Sequence, residues 1–266
     1  MRYFVHKPSP PLGAFVEYFW SLSDTPRHAH ERILPSGTFE MVVDVSGTSE
    51  SGRRFPGAVV SGSFSGPFDV DTRVHAGLVG VHFRPGGAAR LLGVQAGEIA
   101  DRHVSLEDLW GRRAGELHER LCVEGNLRRR FMLLEQTLVS GVQGSRAQRP
   151  AVTLALAELD RPGVDVGQVA AKVGLSRRRL IETFTQSVGL TPKRYSRVRR
   201  FQRSLALAMR MGSPAWTQLA LECGYFDQAH LCRDWTEFTG LSPTKFLALR
   251  ATPVKDNHVA LPEAYP

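Results

Sequence analysis

Residues 169–195 read VAAKVGLSRRRLIETFTQSVGLTPKRY, and residues 219–246 repeat this pattern as LALECGYFDQAHLCRDWTEFTGLSPTKF. The second version carries one extra residue just after its first glycine. A repeat at a nearly fixed offset indicates one structural unit that is built twice. The matched pairs are Gly174 with Gly224, Leu180 with Leu231, Phe184 with Trp235, Gly189 with Gly240, and Pro192 with Pro243.

Each version of the repeat predicts two short helices joined by a tight turn. A glycine, Gly174 or Gly224, supplies the positive-φ residue that ends the first helix and turns the chain. A polar residue, Ser176 or Asp227, then caps the second helix. The next glycine ends that helix, and a Thr-Pro or Ser-Pro pair opens another one. The chain is therefore expected to contain two helix-turn-helix units.

The outward face of the second helix in each unit predicts which side chains read DNA. If Leu180 and Phe184 point into the core, Arg178 and Glu182 lie on the opposite face of the helix. Arg, Gln and Glu carry the donors and acceptors that distinguish base edges. A solvated polar face is the alternative for any one position, but the same face recurs in both units. The candidate base-reading residues are Arg177, Arg178, Glu182, Gln228, Ala229, Cys232 and Arg233.

Between the two units, residues 191–210 (TPKRYSRVRRFQRSLALAMR) predict one uninterrupted helix. About 19 helical residues span roughly 28 Å, which is close to the ~34 Å of one DNA turn. Such a strut would place the two units in successive major grooves on one face of the duplex. Its basic residues are candidates for contacts with phosphates, namely Lys193, Arg194, Arg197, Arg199, Arg200 and Arg203.

Positive charge is concentrated in the segment that contains the repeat. Residues 149–250 carry 16 Lys and Arg against 8 Asp and Glu, whereas residues 1–148 carry 17 against 16. A localised basic surface attracts polyanions, of which double-stranded DNA fits two helix-turn-helix units best. A solvated basic helix face is the other interpretation of charge alone.

Residues 150–250 resemble the DNA-binding domain of the AraC/XylS family of bacterial transcription regulators. The resemblance implies an all-α domain of seven helices that carries both helix-turn-helix units. Trp235 replaces the usual Phe, and Glu182 stands where the family often has Arg, so the base preference of the first unit cannot be carried over. The matching signature positions are Gly224, Tyr225, Phe226, Asp227, Leu231, Arg233, Gly240, Ser242 and Pro243.

The first half of the chain predicts a β-rich domain that ends in helices. Its aromatic and β-branched runs, such as TFEMVVDVS and LVGVHFRPGG, are separated by turn residues. Stretches such as RILPSGTFEMVVDV resemble the N-terminal sensor module of some regulators of the same family, which implies a cupin-like barrel. The expected fold class is therefore α+β, with a β-rich domain followed by an all-α domain.

Composition predicts where the domains meet. We expect a β-rich sensor or dimerisation domain at 1–139, a polar linker at 140–149, the DNA-binding domain at 150–250 and a loosely ordered tail at 251–266. In LRRRFMLLEQTLV (127–139), apolar residues at 127, 131, 134 and 138 form a stripe. This stripe fits either a partner helix or packing inside its own domain.

Two groups of residues raise the question of a metal site. RHAHE (27–31), with His75 and His82, resembles the His-x-His ligands of metal-binding cupins, but the run lacks the flanking glycine and the spaced carboxylate of that pattern. In the second helix-turn-helix unit, small core cysteines are a better interpretation than zinc ligands. The residues concerned there are Cys223, His230 and Cys232.

No Ser-His-Asp, P-loop or dinucleotide-binding pattern occurs in the chain. We therefore expect no catalytic residue, no metal and no cofactor. The alternatives kept open are a metal-dependent cupin-like enzyme fused to a helical domain and a non-specific architectural DNA binder. Binding to specific and random duplexes would separate the second alternative from a sequence-specific regulator.

These observations predict a sequence-specific transcription regulator in the cytoplasm. No apolar run reaches the roughly 18 residues of a membrane span, the N-terminus lacks the features of a secretory signal, and the three cysteines have unmatched spacing. The expected partner is double-stranded DNA. A small-molecule effector, a second copy of the chain and, for an activator, RNA polymerase are further candidates, and no membrane partner is expected.

Overall fold

A computed structural model describes residues 2–23, 29–46, 57–72, 77–143, 150–248, 253–255 and 258–260. A β-rich part with helices is followed by an all-helical domain, which confirms the predicted α+β class. Among the described residues, no helix combines the length and the apolar character needed to cross a membrane.

The described residues of the first half form eight strands, four α-helices and two short 3-10 helices, one of which covers Leu12–Ala14. The strands are β1 (Arg2–His6), β2 (Val16–Ser23), β3 (His30–Ile33), β4 (Glu40–Asp44), β5 (Ala58–Ser61), β6 (Phe68–Asp71), β7 (Gly77–Phe83) and β8 (His103–Ser105). The helices are α1 (Ala88–Leu92), α2 (Leu106–Trp110), α3 (Arg112–Val123) and α4 (Leu127–Gln143), and a short 3-10 helix covers Ala96–Glu98.

Two antiparallel sheets organise this half. The larger sheet has the order β1-β2-β7-β4-β5-β8. The smaller has the order β6-β3-β10-β9, in which β9 (Pro253–Lys255) and β10 (His258–Ala260) come from the C-terminal segment. Strand β7 is buried along nearly its whole length because it lies between β2 and β4. Gly80 on β7 has to be glycine, since a Cβ atom there would lie 2.2 Å from the indole ring of Trp20.

Helix α4 packs against its own domain. Phe131, Leu134 and Leu138 are buried in the core formed by the larger sheet and helices α1, α3 and α4, and Leu127 packs against that core. The apolar stripe of 127–139 is thus used internally, which is the second of the two interpretations. The helix also continues to Gln143, beyond residue 139, where the linker was expected to begin.

Seven helices form the second half of the described chain, which is the number that the resemblance implied. They are α5 (Pro150–Leu159), α6 (Val166–Lys172), α7 (Arg177–Val188), α8 (Pro192–Met211), α9 (Trp216–Glu222), α10 (Gln228–Thr239) and α11 (Pro243–Ala248). Both predicted pairs, Leu180 with Phe184 and Leu231 with Trp235, are fully buried in one core.

The predicted turns and caps are present in both helix-turn-helix units. Gly174 (φ 69°) and Gly224 (φ 82°) adopt the left-handed conformation that their turns require. The side chains of Ser176 and Asp227 accept hydrogen bonds from backbone N–H groups in the first turns of α7 and α10. Thr191 caps α8 in the same way.

The C-terminal segment returns to the first half of the chain. Strand β10 (His258–Ala260) pairs antiparallel with β3 and with β9 (Pro253–Lys255). The prediction of a loosely ordered tail at 251–266 is wrong for the residues of these two strands. The reason is tertiary, because β10 pairs with β3 over three residues and Nδ1 of His258 lies 2.9 Å from the buried Glu31 carboxylate.

The internal packing of α4 can be tested by substitution. Leu134→Ala should lower the free energy of unfolding by about 2–5 kcal/mol, because it leaves a cavity in the core. Met132, on the same helix, is 54% exposed, so Met132→Ala should change it by less than about 0.5 kcal/mol. Urea unfolding of both variants measures the difference. If both variants instead lose equally little free energy of unfolding, and Leu134→Ala also loses the ability to form dimers, the stripe faces a partner helix.

Candidate nucleic-acid interface

The candidate base-reading residues lie on the two capped helices, as predicted for their positions. Those fully on the solvent side are Arg177 and Arg178 on α7 and Gln228, Ala229 and Arg233 on α10. Glu182 and Cys232 are half-buried. Both helices therefore present polar groups to solvent in their first turns, where the second helix of a helix-turn-helix unit contacts base edges.

On α7, Arg178 and Glu182 form an ion pair. The Nε atom of Arg178 donates to a carboxylate oxygen of Glu182 at 3.0 Å, and Arg179 lies 3.5 Å from the other oxygen. Hydrogen bonding from Arg178 lowers the pKa of Glu182, so this carboxylate is charged at neutral pH. Arg178 can exchange this exposed partner for a guanine at little cost, because exposed ion pairs contribute weakly.

On α10, the side chains differ in how free they are. Gln228 accepts a hydrogen bond of 2.9 Å from the hydroxyl of Thr217, which fixes its amide. Arg233 is exposed and forms no ion pair with another described residue. The guanidinium of Arg233, the arginine of α10, is therefore available to a ligand.

Three of the predicted phosphate contacts have other partners in the structure. Arg197 lies 2.6 Å and Arg200 lies 2.9 Å from the buried carboxylate of Asp234 on α10. Arg194 pairs with Glu237, one turn further along α10, and donates to the carbonyl of Ser65. The prediction that Arg194, Arg197 and Arg200 hold phosphates stays a prediction, but in the structure Arg197 and Arg200 balance the buried carboxylate of Asp234 and Arg194 pairs with the exposed Glu237.

The other three residues of α8 that were proposed for phosphate contacts differ in their exposure. Arg199 donates to Asp160 at 2.8 Å, and Arg203 donates to the carbonyl of Asp160. Lys193 is exposed at the start of the helix. Of the six residues proposed for phosphates, Lys193 is thus the one that α8 leaves on the surface.

The sequence carries a signal for this network that the motif analysis missed. Arg194, Arg197 and Arg200 are spaced by three residues on α8, and Asp234 and Glu237 have the same spacing on α10. Such rows lie on one face of each helix. They face each other across the contact between α8 and α10, in which the buried Trp235 also donates to Ser204 of α8 at 2.9 Å.

In the second unit, the residues considered as zinc ligands have other contacts in the structure. His230 takes a hydrogen bond of 3.0 Å from Arg200, and burial together with the charge of Arg200 lowers its pKa. Cys223 is buried in the core, and burial raises its pKa. Within the described residues, no group of three or more His, Cys, Asp or Glu side chains is placed to hold a metal ion.

For the first metal candidate, the structure describes only part of the group. His82 is buried on β7, with Nε2 3.3 Å from the hydroxyl of Thr38 and Nδ1 3.7 Å from Glu40. Residues 27, 28 and His75 lie outside the described residues.

A cavity in the first half lies beside the helical domain. Its lining includes Ser36, Thr38, Glu40, Phe64, Phe68 and His82. The loops that line it also contact the helical domain. Gln202 of α8 donates to the carbonyl of Pro35 at 2.6 Å, and Ser63 donates to the carbonyl of Val188 at 2.7 Å.

The first half also contacts helix α7. A Cβ atom on Gly97 would lie 3.4 Å from the carbonyl of Thr185, so the 3-10 helix Ala96–Glu98 packs directly on α7. Elsewhere, Arg32 donates to the carbonyl of Thr239, at the last turn of α10, at 3.1 Å. The first half thus contacts the C-terminal parts of α7 and α10 and leaves their first turns exposed.

Comparison with protein families gives two matches. Residues 169–248 match the family described as helix-turn-helix domain. Residues 5–105 match a family described as domain of unknown function, DUF6597. The first match lies within the helical half, and the second lies within the β-rich half.

Among individual proteins, an uncharacterized HTH-type transcriptional regulator of Haemophilus influenzae is 30% identical over 116 residues, which are 43% of this chain. The chain spans 37% of the length of that relative. A probable AraC family transcriptional regulator from Rhodopseudomonas palustris is 27% identical, covers 40% of this chain and 100% of its own, and has a TM-score of 0.34. ToxT from Vibrio cholerae is 10% identical over 93% of this chain and 97% of its own, with a TM-score of 0.40.

The structural role of Asp234 gives a test. Asp234→Ala should lower the free energy of unfolding by about 3 kcal/mol, because it leaves Arg200 without its carboxylate partner and leaves Arg197 with Glu237 alone. Asp160→Ala removes an exposed partner of the same helix and should cost less than about 1 kcal/mol. Urea unfolding followed by tryptophan fluorescence measures both. Equal costs would contradict the structural assignment of Arg197 and Arg200.

Proposed function

We propose that this chain, whose helical domain belongs to the AraC/XylS-type helix-turn-helix family, is a sequence-specific transcription regulator that reads two successive major grooves of double-stranded DNA. The observation that carries the proposal is the pair of exposed first turns on α7 and α10, joined by one continuous helix. Arg178, Gln228 and Arg233 provide the base-reading groups.

The length of α8 supports reading of two grooves. Its 20 residues span about 30 Å, which approaches the ~34 Å between equivalent points of successive turns. The ion pairs of Asp234 and Glu237 attach α10 to this helix and fix the second unit. A single chain can then present two reading helices without a partner subunit.

The contacts with phosphates are redistributed relative to the sequence prediction. Lys193 and Arg177 are exposed near the starts of α8 and α7 and are the better candidates. Arg194, Arg197 and Arg200 hold α10 against α8. Because these arginines neutralise the buried carboxylate of Asp234 and the exposed carboxylate of Glu237, they contribute to the orientation of α10 more than to the charge of the proposed reading surface.

Sequence-specific reading is favoured over architectural binding by the chemistry of the exposed turns. Arg and Gln side chains form bidentate hydrogen bonds with guanine and adenine, respectively. A binder that recognises only the backbone needs phosphate contacts alone. Contact with RNA polymerase stays a prediction that depends on whether the chain activates transcription.

We infer that control of DNA binding runs through the contacts between the first half and the helical domain. The buried stripe of α4 gives no support to self-association through 127–139. The loops that line the cavity instead touch α7 and α8 through Ser63 and Pro35, so a rearrangement of these loops would reach the helical domain. The cavity itself has room for about one water molecule, about 20 Å³, so a small-molecule effector stays a prediction and would have to open it.

Two arginines test base reading. Arg178→Ala and Arg233→Ala should weaken binding to the preferred duplex by about tenfold or more, since one bidentate guanine contact provides about 1–3 kcal/mol of discrimination. Binding to random duplex should change much less. The duplex is first obtained by selection from a random library with the full chain, and affinities are measured across a salt series.

A matched control separates base reading from loss of charge. Arg112 on α3 is 94% exposed and pairs with Glu116 four residues on, as Arg178, 91% exposed, pairs with Glu182. Arg112→Ala should leave the affinity for DNA unchanged. Equal losses on preferred and random duplexes for Arg178→Ala and Arg233→Ala would contradict their assignment as reading residues.

The contact between the halves gives a second test. Ser63→Ala combined with Gln202→Ala removes two hydrogen bonds that hold the first half against α7 and α8. Affinity for the selected duplex should rise by up to about tenfold, because each net hydrogen bond contributes about 0.5–1.5 kcal/mol and loss of both frees the helical domain to adjust to the duplex. Ser213→Ala, at an exposed serine, is the control. An unchanged affinity of the double variant would exclude control through this contact.

A further inference from the structure

The one residue that the second helix-turn-helix unit adds to the repeat is Phe226. Gly174 and Gly224 end the first helices, and Ser176 and Asp227 cap the second ones. Leu175 fills the interval in the first unit and packs against the core. In the second unit Tyr225 takes that buried position, so Phe226 is the surplus residue.

Phe226 is 86% exposed, the most exposed of the large aromatic side chains in the described part of the chain. Phenylalanine is among the residues most often buried, and a solvent-exposed ring contributes nothing to the core. Apolar side chains that stand alone on a protein surface are common, so the significance of this one depends on where the chain holds it. A single exposed ring is small as a patch for a protein partner, since such surfaces are usually several hundred Å² of contiguous apolar area.

The chain on both sides of Phe226 is fixed. Tyr225 is buried, and the guanidinium of Arg200 lies 4.4 Å from the centre of its ring. On the other side, Asp227 accepts a hydrogen bond of 2.6 Å from the backbone N–H of His230. The Phe226 side chain is thus held outward in a defined place and is not part of a free loop.

That place is the entrance to the reading helix α10. Gln228 and Ala229, the first residues of the helix, directly follow the capping residue. We infer that Phe226 is a specificity-determining residue that makes apolar contact with the methyl groups of thymine in the half-site read by α10. Phenylalanine is among the side chains that contact this methyl group in the major groove. The inference rests on the proposed function.

The contact would make the two half-sites unequal. In the first unit Leu175, which packs against the core, directly precedes the capping residue Ser176. No residue of that unit therefore corresponds to Phe226. A preference for thymine from this source is therefore confined to one half-site. The two units would then read different sequences although they share one fold.

The experiment uses the full chain and its selected duplex in two forms. One form contains thymine, and in the other every thymine is replaced by deoxyuridine, which removes only the methyl groups. Affinities are measured for the native chain, Phe226→Ala, Phe226→Leu and Val123→Ala. Val123 is 87% exposed in the first half and is the apolar control. Thermal unfolding checks that the variants fold.

We expect Phe226→Ala to weaken binding to the thymine duplex by about tenfold, because a phenyl ring is no longer buried on binding. Deoxyuridine should weaken the native chain and leave Phe226→Ala unchanged, and Phe226→Leu should recover most of the affinity. The slope of affinity against salt should stay the same, since no phosphate contact is lost. Val123→Ala should behave as the native chain.

Separate outcomes overturn the inference and the proposed function. If selection succeeds but Phe226→Ala binds as the native chain does, the inference fails and the function stands, and Phe226 then serves a protein partner or none. The inference also fails if deoxyuridine weakens the native chain and Phe226→Ala equally. If selection yields no preferred sequence, the proposed function fails, and this inference fails with it.

Discussion

The buried carboxylate of Asp234 is the constraint on which the helical domain depends. It lies in the contact between α10 and α8, where a charge without partners would be strongly unfavourable. Arg197 and Arg200 supply the opposite charge, and Trp235 packs beside them and donates to Ser204. The orientation of α10, and with it the direction of its exposed first turn, follows from this one contact.

The same contact divides the arginines of the domain into two groups. Arg194, Arg197, Arg199 and Arg200 on α8 pair with carboxylates of neighbouring helices, whereas Arg178 on α7 has only the exposed partner Glu182 on its own helix and Arg233 on α10 is exposed. The number of basic residues alone would not separate these groups. A basic domain can therefore have an excess of positive charge and still use much of it internally.

The first half of the chain is attached to the reading domain at several separate points. Leu34 belongs to the core of the helical domain, and Ser63 and Gln202 make hydrogen bonds across the boundary. Strand β10 returns from the far end of the chain to pair with β3. The two halves are thus linked in both directions, so that a change near the cavity can reach α7 and α8.

The sequence by itself determined the repeat, its turns and its caps, because Gly174, Gly224, Ser176 and Asp227 act through local backbone geometry. It also determined the α+β class, since strand and helix patterns are local. Only the tertiary structure decided that Leu134 packs internally and that Arg197 serves Asp234. Those outcomes depend on which faces meet across long sequence separations, and a side chain that is basic or apolar fits more than one partner until packing selects one.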